Sequence, residues 1–134
     1  MERLASIAET RQAAGEARRE SKRVALVPTM GALHEGHLSL VRQACSRADY
    51  VAVSVFVNPT QFGPDEDFEA YPRDLDRDMA LLRAEGVDLV FTPTPAVMYA
   101  PEATVTVDPG PLGSVFEGAI RPTHFRGMAT VVAK

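Results

Sequence analysis

The sequence has 134 residues, about the length of one domain, and its 46% apolar and 24% charged residues are the balance of an ordinary globular protein. A net charge of −4 without a basic block argues against nucleic acid as a partner, and no apolar run approaches the ~20 residues of a membrane span. The N-terminus lacks the apolar core of a signal peptide, so we expect a cytoplasmic protein that binds no membrane.

The apolar periodicity of the chain predicts alternating strands and helices. Helices are expected at residues 2–20, 36–48, 72–85 and from 123 onward, and strands at residues 23–27, 50–57 and 87–92. Pro72 suits the first position of its helix, and Thr104–Val107 is expected to be a further short strand. Cys45 shares a helix face with Leu38 and Val41, so we expect it to be a small core side chain. The β-α-β-α-β order predicts an α/β fold with a parallel sheet wrapped by helices.

The segment between the first predicted strand and the following helix carries the strongest functional signal. It runs from Pro28 to His37 and places His34 and His37 on either side of Gly36. The first turn of a helix offers unpaired N–H groups and a partial positive charge, and glycine lets a ligand approach the backbone. Two imidazoles can donate hydrogen bonds to phosphate oxygens. The pattern therefore predicts a site for a phosphate-bearing ligand.

Two other interpretations of these histidines remain open. One is a βα turn with incidental histidines, and the other is a zinc site, although the spacing differs from H-E-x-x-H and no third ligand lies nearby in the sequence. The two commonest phosphate-binding loops, G-x-x-x-x-G-K-[ST] and G-x-G-x-x-G, are absent. Acidic residues 65–67 and the alternating charges from Arg73 to Asp78 are expected to be a solvated loop and a solvated helix face.

Polar segments follow each of the three predicted strands. They are residues 28–37, 58–62 and 93–99. Ligands of parallel sheets bind beyond the carboxyl ends of the strands, so we expect these segments to line one crevice.

Several blocks of the sequence, in order, resemble the pantothenate synthetase (pantoate–β-alanine ligase) family. They are Val27–His37, Val55–Phe62, Ala70–Asp74 and Glu117–Gly118 with Arg121–Gly127. The His-x-Gly-His turn alone indicates only the wider nucleotidyltransferase superfamily, whereas the several blocks that agree in order and spacing are specific. The resemblance covers essentially the whole chain. The resemblance implies a Rossmann-like parallel sheet with flanking helices.

The resemblance also implies an activity and its site residues. ATP and pantoate would give pantoyl adenylate and pyrophosphate, and the amine of β-alanine would then displace AMP to give pantothenate. His37 would be the proton donor with His34 beside it as the second catalytic residue, and Gln61 would contact pantoate near β-alanine. The ATP-binding segment would consist of Met30, Gly31, Ala32, Leu33, His34, Glu35, Gly36 and His37.

Four further residues match family positions near the substrates, and for each of them a purely structural role remains an alternative to substrate binding. For Asn58 the alternative is an Asn-Pro turn, for Met98 it is core packing, and for Arg121 and His124 it is a surface loop. The resemblance also implies Mg²⁺ brought in with ATP, without an assigned protein ligand, and a homodimer joined through this part of the chain.

The family's sequence continues beyond the position of Lys134. Its later parts include a Gly-x-Lys-Asp-x-x-Gln pattern, a Met-Ser-x-Arg-Asn-like loop and a small C-terminal lid domain, none of which occurs here. No lysine lies between Lys22 and Lys134, so a triphosphate would lack a cationic clamp. We therefore expect residues 1–134 to be the N-terminal nucleotide-binding domain with an incomplete sheet, weakly active or inactive alone. The alternatives are another His-x-Gly-His nucleotidyltransferase and a non-catalytic binding or dimerisation fragment.

Overall fold

The computed structural model describes residues 1–64, 66, 68–101 and 104–134. The chain forms two compact units, of which the first comprises Met1–Val57 with Pro72–Thr94 and the second comprises Asn58–Tyr71 with Pro95–Lys134. Within the described residues, no helix combines the length and the apolar character needed to cross a membrane.

The first unit is a parallel sheet with connecting helices. Its strands are β1 (Glu2–Leu4), β2 (Val24–Thr29), β3 (Tyr50–Val55) and β4 (Leu89–Phe91), and its helices are α1 (Ile7–Arg19), α2 (Glu35–Arg47) and α3 (Leu75–Ala84). The strand order is β1-β4-β3-β2, and all three neighbouring pairs are parallel. The predicted α/β class with a parallel sheet is therefore confirmed.

The core of this unit is built from aliphatic side chains on the sheet and on the helices that cover it. β3 is valine-rich and largely buried, as expected for an inner strand covered on both faces. Cys45 of α2 packs against the core, with its Sγ 3.6 Å from the carbonyl oxygen of Glu85, and burial raises the pKa of its thiol. This confirms Cys45 as a small core side chain. The buried cluster consists of Val27, Leu33, Val41, Val51, Val53, Leu82, Val87 and Val90.

The first predicted helix was wrong at its start, because residues 2–4 form β1. Glu2 to Leu4 pair with Leu89 to Phe91 of β4, a partner far along the chain that local helix propensity does not reveal. The helix begins only after Ser6, whose hydroxyl accepts a hydrogen bond from the N–H of Glu9 at 3.4 Å. Tertiary strand pairing therefore overrides the helical composition of this segment.

The predicted start of α3 at Pro72 was also wrong. Asp74 caps the helix by accepting a hydrogen bond from the N–H of Arg77 at 3.0 Å, so α3 begins at Leu75. β2 is longer than predicted and includes Pro28. Among the described strands β2 pairs only with β3, and proline, which has no N–H, is tolerated on such an edge strand.

The second unit consists of short helices and turns. It contains 3₁₀ helices at Pro59–Gln61 and Pro111–Ser114 and the α-helices α4 (Pro95–Met98), α5 (Glu117–Ile120) and α6 (His124–Ala133), which confirms the helix predicted from residue 123. The strand predicted at Thr104–Val107 was wrong, because Val107 donates its N–H to the hydroxyl of Thr130 at 2.9 Å instead of to a strand. Of the predicted acidic loop, Asp65 and Asp67 lie outside the described residues.

Candidate functional site

The loop between β2 and α2 turns at a position that only glycine fits. The hydroxyl of Thr29 donates to the carbonyl oxygen of Ser54 at 2.7 Å and accepts from the N–H of Gly31 at 3.2 Å. Gly31 has a φ of 80°, and a Cβ there would lie 3.0 Å from both Asp78 Oδ2 and Val55 Cγ1. The turn is therefore tied to β3 and leaves no room for a side chain.

A buried carboxylate holds the next two residues of this loop. The N–H groups of Ala32 and Leu33 donate to Asp78 Oδ2 and Oδ1 at 2.9 and 2.8 Å, and Asp78 is only 1% exposed. Arg77 donates to the carbonyl oxygen of Leu33 at 3.1 Å, and its Nη1 lies 3.8 Å from Asp78 Oδ1. Each oxygen of the carboxylate thus receives a charge-assisted hydrogen bond from the loop.

This position corrects the prediction of a solvated helix face from Arg73 to Asp78. Charge alternation along the sequence indicates solvent exposure only when every charged residue lies outside the apolar stripe of its helix. Asp78 lies three residues after Leu75 and four before Leu82, so it occupies the apolar face. That spacing is the signal by which the sequence reveals a buried acid.

The two predicted catalytic histidines cap the start of α2. His34 is the N-cap residue, and its Nδ1 accepts a hydrogen bond from the N–H of Gly36 at 3.1 Å. His37 reciprocates, because its Nδ1 accepts from the N–H of His34 at 3.4 Å. A neutral imidazole that accepts through Nδ1 carries its proton on Nε2. Neither Nε2 has a hydrogen-bond partner among the residues that the structure describes, so each ring keeps one donor available.

Burial favours the neutral form of His37. It lowers the pKa of the imidazole below the ordinary value, the neighbouring His34 lowers it further, and the charge of Asp78 opposes this shift. The two rings lie 4.1 Å apart between centroids. Gly36 makes room for this arrangement, because a Cβ there would lie 2.9 Å from Cε1 of His34. The arrangement can donate hydrogen bonds to an anion without a charged imidazole.

The other predicted ATP-binding residues differ in how accessible they are. Leu33 is 1% exposed and belongs to the core, whereas Met30 and Ala32 are half-buried. The side chain of Glu35 is exposed and forms an ion pair with Arg42. In the part of the chain that the structure describes, the side chain of His34 accepts from the backbone N–H of His37 to complete the capping box, and no group accepts a hydrogen bond from the N–H of Glu35. The backbone of the first turn of α2 therefore offers the N–H of Glu35 as a donor beside the imidazoles.

In the second unit, the predicted substrate residue Asn58 is the centre of a buried polar network. Asn58 is fully buried, and its Nδ2 donates to the carbonyl oxygen of Gly127 at 3.2 Å and to Gln61 Oε1 at 3.0 Å. Its Oδ1 accepts from the N–H and the hydroxyl of Thr60 at 3.3 and 2.9 Å and from the hydroxyl of Tyr99 at 2.7 Å. All of the hydrogen-bonding capacity of this amide is used.

This network fixes the direction of the Gln61 amide. A backbone carbonyl only accepts and a backbone N–H only donates, so Gly127 and Thr60 determine which end of Asn58 is the NH₂ group. The NH₂ of Asn58 in turn requires the oxygen of Gln61. Gln61 is 7% exposed, and no described residue accepts a hydrogen bond from its NH₂ group, which therefore remains available as a donor.

Arg121 and His124 both contact the backbone of Gln61. Arg121 Nη2 donates to its carbonyl oxygen at 3.1 Å, and His124 Nδ1 lies 3.2 Å from the same oxygen. Arg121 also forms ion pairs with Glu66 and Glu117. The pKa of Glu66 is lowered mainly by a hydrogen bond from the N–H of Gly63 and then by Arg121.

The catalytic, ATP-binding and substrate-binding roles of all the predicted site residues stay predictions. Met98 is half-buried at the end of α4, and its role near a substrate is untested, as are the substrate roles of Arg121 and His124. The crevice expected from the three polar segments is also untested. Among the residues that the structure describes, no group of three His, Cys, Asp or Glu side chains is placed to hold a metal ion.

Comparison with known proteins identifies the family. A family model described as pantoate-beta-alanine ligase matches residues 2–134. A pantothenate synthetase from Roseiflexus castenholzii is 63% identical over 111 residues, which are 83% of this chain and 40% of that protein. One from Nocardia farcinica is 64% identical over 111 residues, which are 83% of this chain and 35% of that protein. The chain thus spans less than half the length of these curated relatives.

Solved structures agree with this assignment. A pantothenate synthetase from Thermus thermophilus superimposes with a TM-score of 0.90 at 51% identity, covering 99% of this chain and 47% of that one. A pantoate-beta-alanine ligase from Francisella tularensis, solved in complex with beta-gamma ATP and beta-alanine, gives a TM-score of 0.86 at 38% identity and covers 99% of this chain and 51% of that one. The chain therefore belongs to the pantoate–β-alanine ligase family.

Proposed function

We propose that this chain is the N-terminal, nucleotide- and pantoate-binding domain of a ligase that condenses pantoate with β-alanine. In the proposed reaction, a carboxylate oxygen of pantoate attacks the α-phosphorus of ATP, and the bond to pyrophosphate breaks. The amine of β-alanine then attacks the acyl carbon of pantoyl adenylate, loses a proton and releases AMP. The observation that carries the proposal is the pair of imidazole Nε2–H donors at the start of α2, in a chain of this family.

The start of α2 in the first unit would bind the phosphates of ATP. Attack on the α-phosphorus increases negative charge on its oxygens, and fixed hydrogen-bond donors stabilise that charge. His34 and His37 each keep an Nε2–H donor, and the backbone of the first turn of α2 adds the N–H of Glu35 and a partial positive charge. Because the pKa of His37 is lowered, the neutral ring would act as a hydrogen-bond donor near pH 7.

Gln61 would bind pantoate in the second unit. Its available NH₂ group can donate to the carboxylate or hydroxyl oxygens of a hydroxy acid, and the buried Asn58 holds it in that direction. Arg121 and His124 would support this role by holding the backbone of Gln61, in addition to any direct contact with substrate. Met98 would contribute apolar contact to the same substrate.

Two further parts of the proposal concern partners. Mg²⁺ would enter with the triphosphate and is assigned no protein ligand. The chain would also form a homodimer, a property that the family resemblance implies. Light scattering coupled to size exclusion over a tenfold concentration range tests it. A discrete dimer mass supports a specific interface, and a monomer mass at every concentration contradicts it.

Pantoate-dependent exchange of pyrophosphate into ATP tests the reaction. The assay would compare this chain alone with the same chain joined to the remaining part of the Roseiflexus castenholzii relative. We expect robust exchange from the joined protein and little from the chain alone. Exchange that does not depend on pantoate would indicate another nucleotidyltransferase, and robust exchange by the chain alone would contradict its expected weakness.

Gln61→Glu would show whether the glutamine donor matters. The substitution replaces the NH₂ donor with a negative oxygen that repels the carboxylate of pantoate. In the joined protein, we expect the KM for pantoate to rise about tenfold or more while the KM for ATP stays unchanged, since a hydrogen bond to a charged group contributes about 2 kcal/mol. Gln43→Glu on the exposed surface of α2 is the matched control and should behave as the wild type.

A further inference from the structure

Asp78 has the geometry of an internal ligand for the loop that precedes α2. It is 1% exposed, it reaches the loop from α3, and each carboxylate oxygen accepts one backbone N–H from consecutive residues, Ala32 and Leu33. Burying a carboxylate is costly unless it is fully hydrogen-bonded. A neutral residue of similar size fits the apolar face of α3 at lower cost, so a buried carboxylate at this position requires a reason other than packing.

The backbone of the loop supplies that reason. Gly31 and Ala32 have φ values of 80° and 50°, and a positive φ is unfavourable for alanine. The two charge-assisted hydrogen bonds offset this strain. Because His34 follows Leu33 directly, the same bonds determine where the N-cap of α2 and its imidazole lie. Without the carboxylate, the loop has no other acceptor for these N–H groups among the described residues.

The direction of the peptide groups has a second consequence. In a planar trans peptide the N–H and the C=O point in opposite directions. The N–H groups of Ala32 and Leu33 point toward Asp78, so the carbonyl groups of Gly31 and Ala32 point away from it. The face of the loop opposite Asp78 therefore presents acceptors, which do not suit a phosphate. This narrows the expectation that the whole segment from Met30 to His37 binds ATP, because it assigns the phosphates to one part of it.

We propose that Asp78 is a positioning residue for nucleotide binding. Its carboxylate accepts from the N–H groups of Ala32 and Leu33, as a bound anion would, and so leaves phosphate binding to the first turn of α2, with His34 and His37. The proposal rests on the proposed function, because it assumes that this segment binds ATP. Asp78 itself does not touch the nucleotide.

Asp78→Asn tests the proposal, and Asp76→Asn is the matched control. The asparagine is nearly the same size but replaces one acceptor with a donor that faces a loop N–H, whereas Asp76 is exposed on the same helix. Calorimetric titration of the 134-residue chain with ATP measures affinity, and hydrogen exchange measured by NMR reports the loop amides. We expect the ATP affinity of Asp78→Asn to fall about tenfold to a hundredfold, and that of Asp76→Asn to remain within about twofold of wild type.

Hydrogen exchange separates a positioning role from a purely structural one. We expect exchange at Ala32, Leu33 and His34 to accelerate at least about tenfold in Asp78→Asn, while Val53 and Val90 of the sheet stay protected. Equal acceleration in the sheet would mean that Asp78 serves only global stability and would overturn the proposal, as would an unchanged loop or unchanged ATP affinity. If Asp78→Asn does not fold, Asp78→Ser keeps one acceptor without the buried charge and is judged by the same criteria.

The two hypotheses fail in different ways. If the wild-type chain binds no ATP at millimolar concentration, the proposed nucleotide-binding role fails, whatever Asp78 does. The exchange data then decide the positioning claim alone: selective acceleration at the loop supports it, and an unchanged loop overturns it. If the wild type binds ATP and Asp78→Asn binds equally well, the nucleotide role stands and the Asp78 proposal fails.

Discussion

The loop of the first unit is held by a buried charge, whereas the turn at Asn58–Gln61 in the second unit is held by neutral amides and hydroxyls. In the loop, one carboxylate accepts two backbone N–H groups. In the turn, one amide donates to two oxygens and accepts from the N–H and hydroxyl of Thr60 and the hydroxyl of Tyr99. Asp78 and Asn58 are almost equally buried, so the difference lies in the chemistry and not in exposure.

This difference determines how Asp78 and Asn58 each affect the candidate site residues next to them. A carboxylate only accepts, so Asp78 removes donors from the loop and fixes its backbone conformation. An amide has a donor end and an acceptor end, so Asn58 fixes the orientation of the Gln61 amide and leaves the NH₂ group of Gln61 available as a donor. Asp78 thus fixes the position of the loop backbone, whereas Asn58 fixes which end of the Gln61 amide is the donor. Substitutions that alter one property but not the other test this distinction.

The largest effect is expected for Asn58→Asp. The substitution keeps the shape but removes both hydrogen atoms that face Gly127 and Gln61, and it places a fully buried negative charge against two acceptor oxygens. An uncompensated buried charge destabilises a protein by about 4 kcal/mol, and we expect the free energy of unfolding to fall by that amount. Denaturant unfolding followed by circular dichroism measures it.

Asn58→Ala is the control for this prediction. It also removes the hydrogen bonds but introduces no charge, so its cost should be about 2 kcal/mol. If Asn58→Asp and Asn58→Ala lost equal stability, the polarity of the network would not matter, and the argument for the direction of Gln61 would fail with it.

The second largest effect is expected for Asp78→Ala. It leaves the N–H groups of Ala32 and Leu33 without an acceptor while removing a charge that was costly to bury. We therefore expect a net loss of about 2 kcal/mol in the free energy of unfolding. Asp76→Ala on the exposed face of α3 should change stability by less than about 0.5 kcal/mol. A neutral outcome for Asp78→Ala would mean that water replaces the carboxylate at the loop.

The sequence predicted the fold well where apolar patterns were long and local. The runs that became β2, β3 and β4 and the amphipathic stripe of α2 indicated strand or helix without reference to distant residues. β1 was missed because three residues carry too little pattern, and its only support is pairing with β4. The start of α3 was misplaced because proline and aspartate both suit helix starts, and the side chain of Asp74 decided between them.

The candidate site was predictable as a motif but not as a hydrogen-bond arrangement. The His-x-Gly-His pattern located the start of α2, yet the use of Nδ1 for capping depends on backbone geometry that no pattern contains. Asn58 caps the 3₁₀ helix that begins at Pro59, as the alternative of an Asn-Pro turn predicts, and it is also fully buried, so its role at the substrate stays a prediction. The prediction for Asp78 was wrong because charge alternation says nothing of its place on the apolar face of α3.

A smaller effect is expected for Tyr99→Phe. The tyrosine hydroxyl donates to Asn58 Oδ1 at 2.7 Å, but that oxygen also accepts from the N–H and hydroxyl of Thr60 and so remains satisfied. We expect a loss of about 1 kcal/mol in the free energy of unfolding, without the severe cost of an unpaired buried group. Tyr50→Phe is the control, because its hydroxyl makes no hydrogen bond to a described residue. A loss as large as that of Asn58→Ala would show that Tyr99, and not Thr60, anchors the amide.

The smallest effect on stability is expected for His37→Asn. This substitution distinguishes the role of Nδ1, which caps α2, from the role of Nε2–H, which would bind ATP. The asparagine oxygen lies near the position of Nδ1 and can still accept from the N–H of His34, so the cap is retained and the loss near neutral pH should be below about 1 kcal/mol. His37→Ala has no such acceptor and should lose about 1 kcal/mol. Both substitutions remove Nε2–H, so both should weaken ATP binding to a similar degree. Binding that followed the stability ranking instead would assign His37 a purely structural role.

The pH dependence of the same variant reports the state of the imidazole. Burial lowers the pKa of His37 in the folded chain below its ordinary value of 6.5, so the unfolded chain takes up a proton first as the pH falls. The stabilisation that His37 contributes is therefore fully present above pH 6.5 and is lost as the pH falls through the lower pKa of the folded state. Asparagine does not titrate, so the stability advantage of the wild type over His37→Asn should shrink between about pH 7.5 and about pH 5.5. An advantage that grew toward acid would mean that the charge of Asp78 outweighs burial and that the folded protein carries an imidazolium at the start of α2.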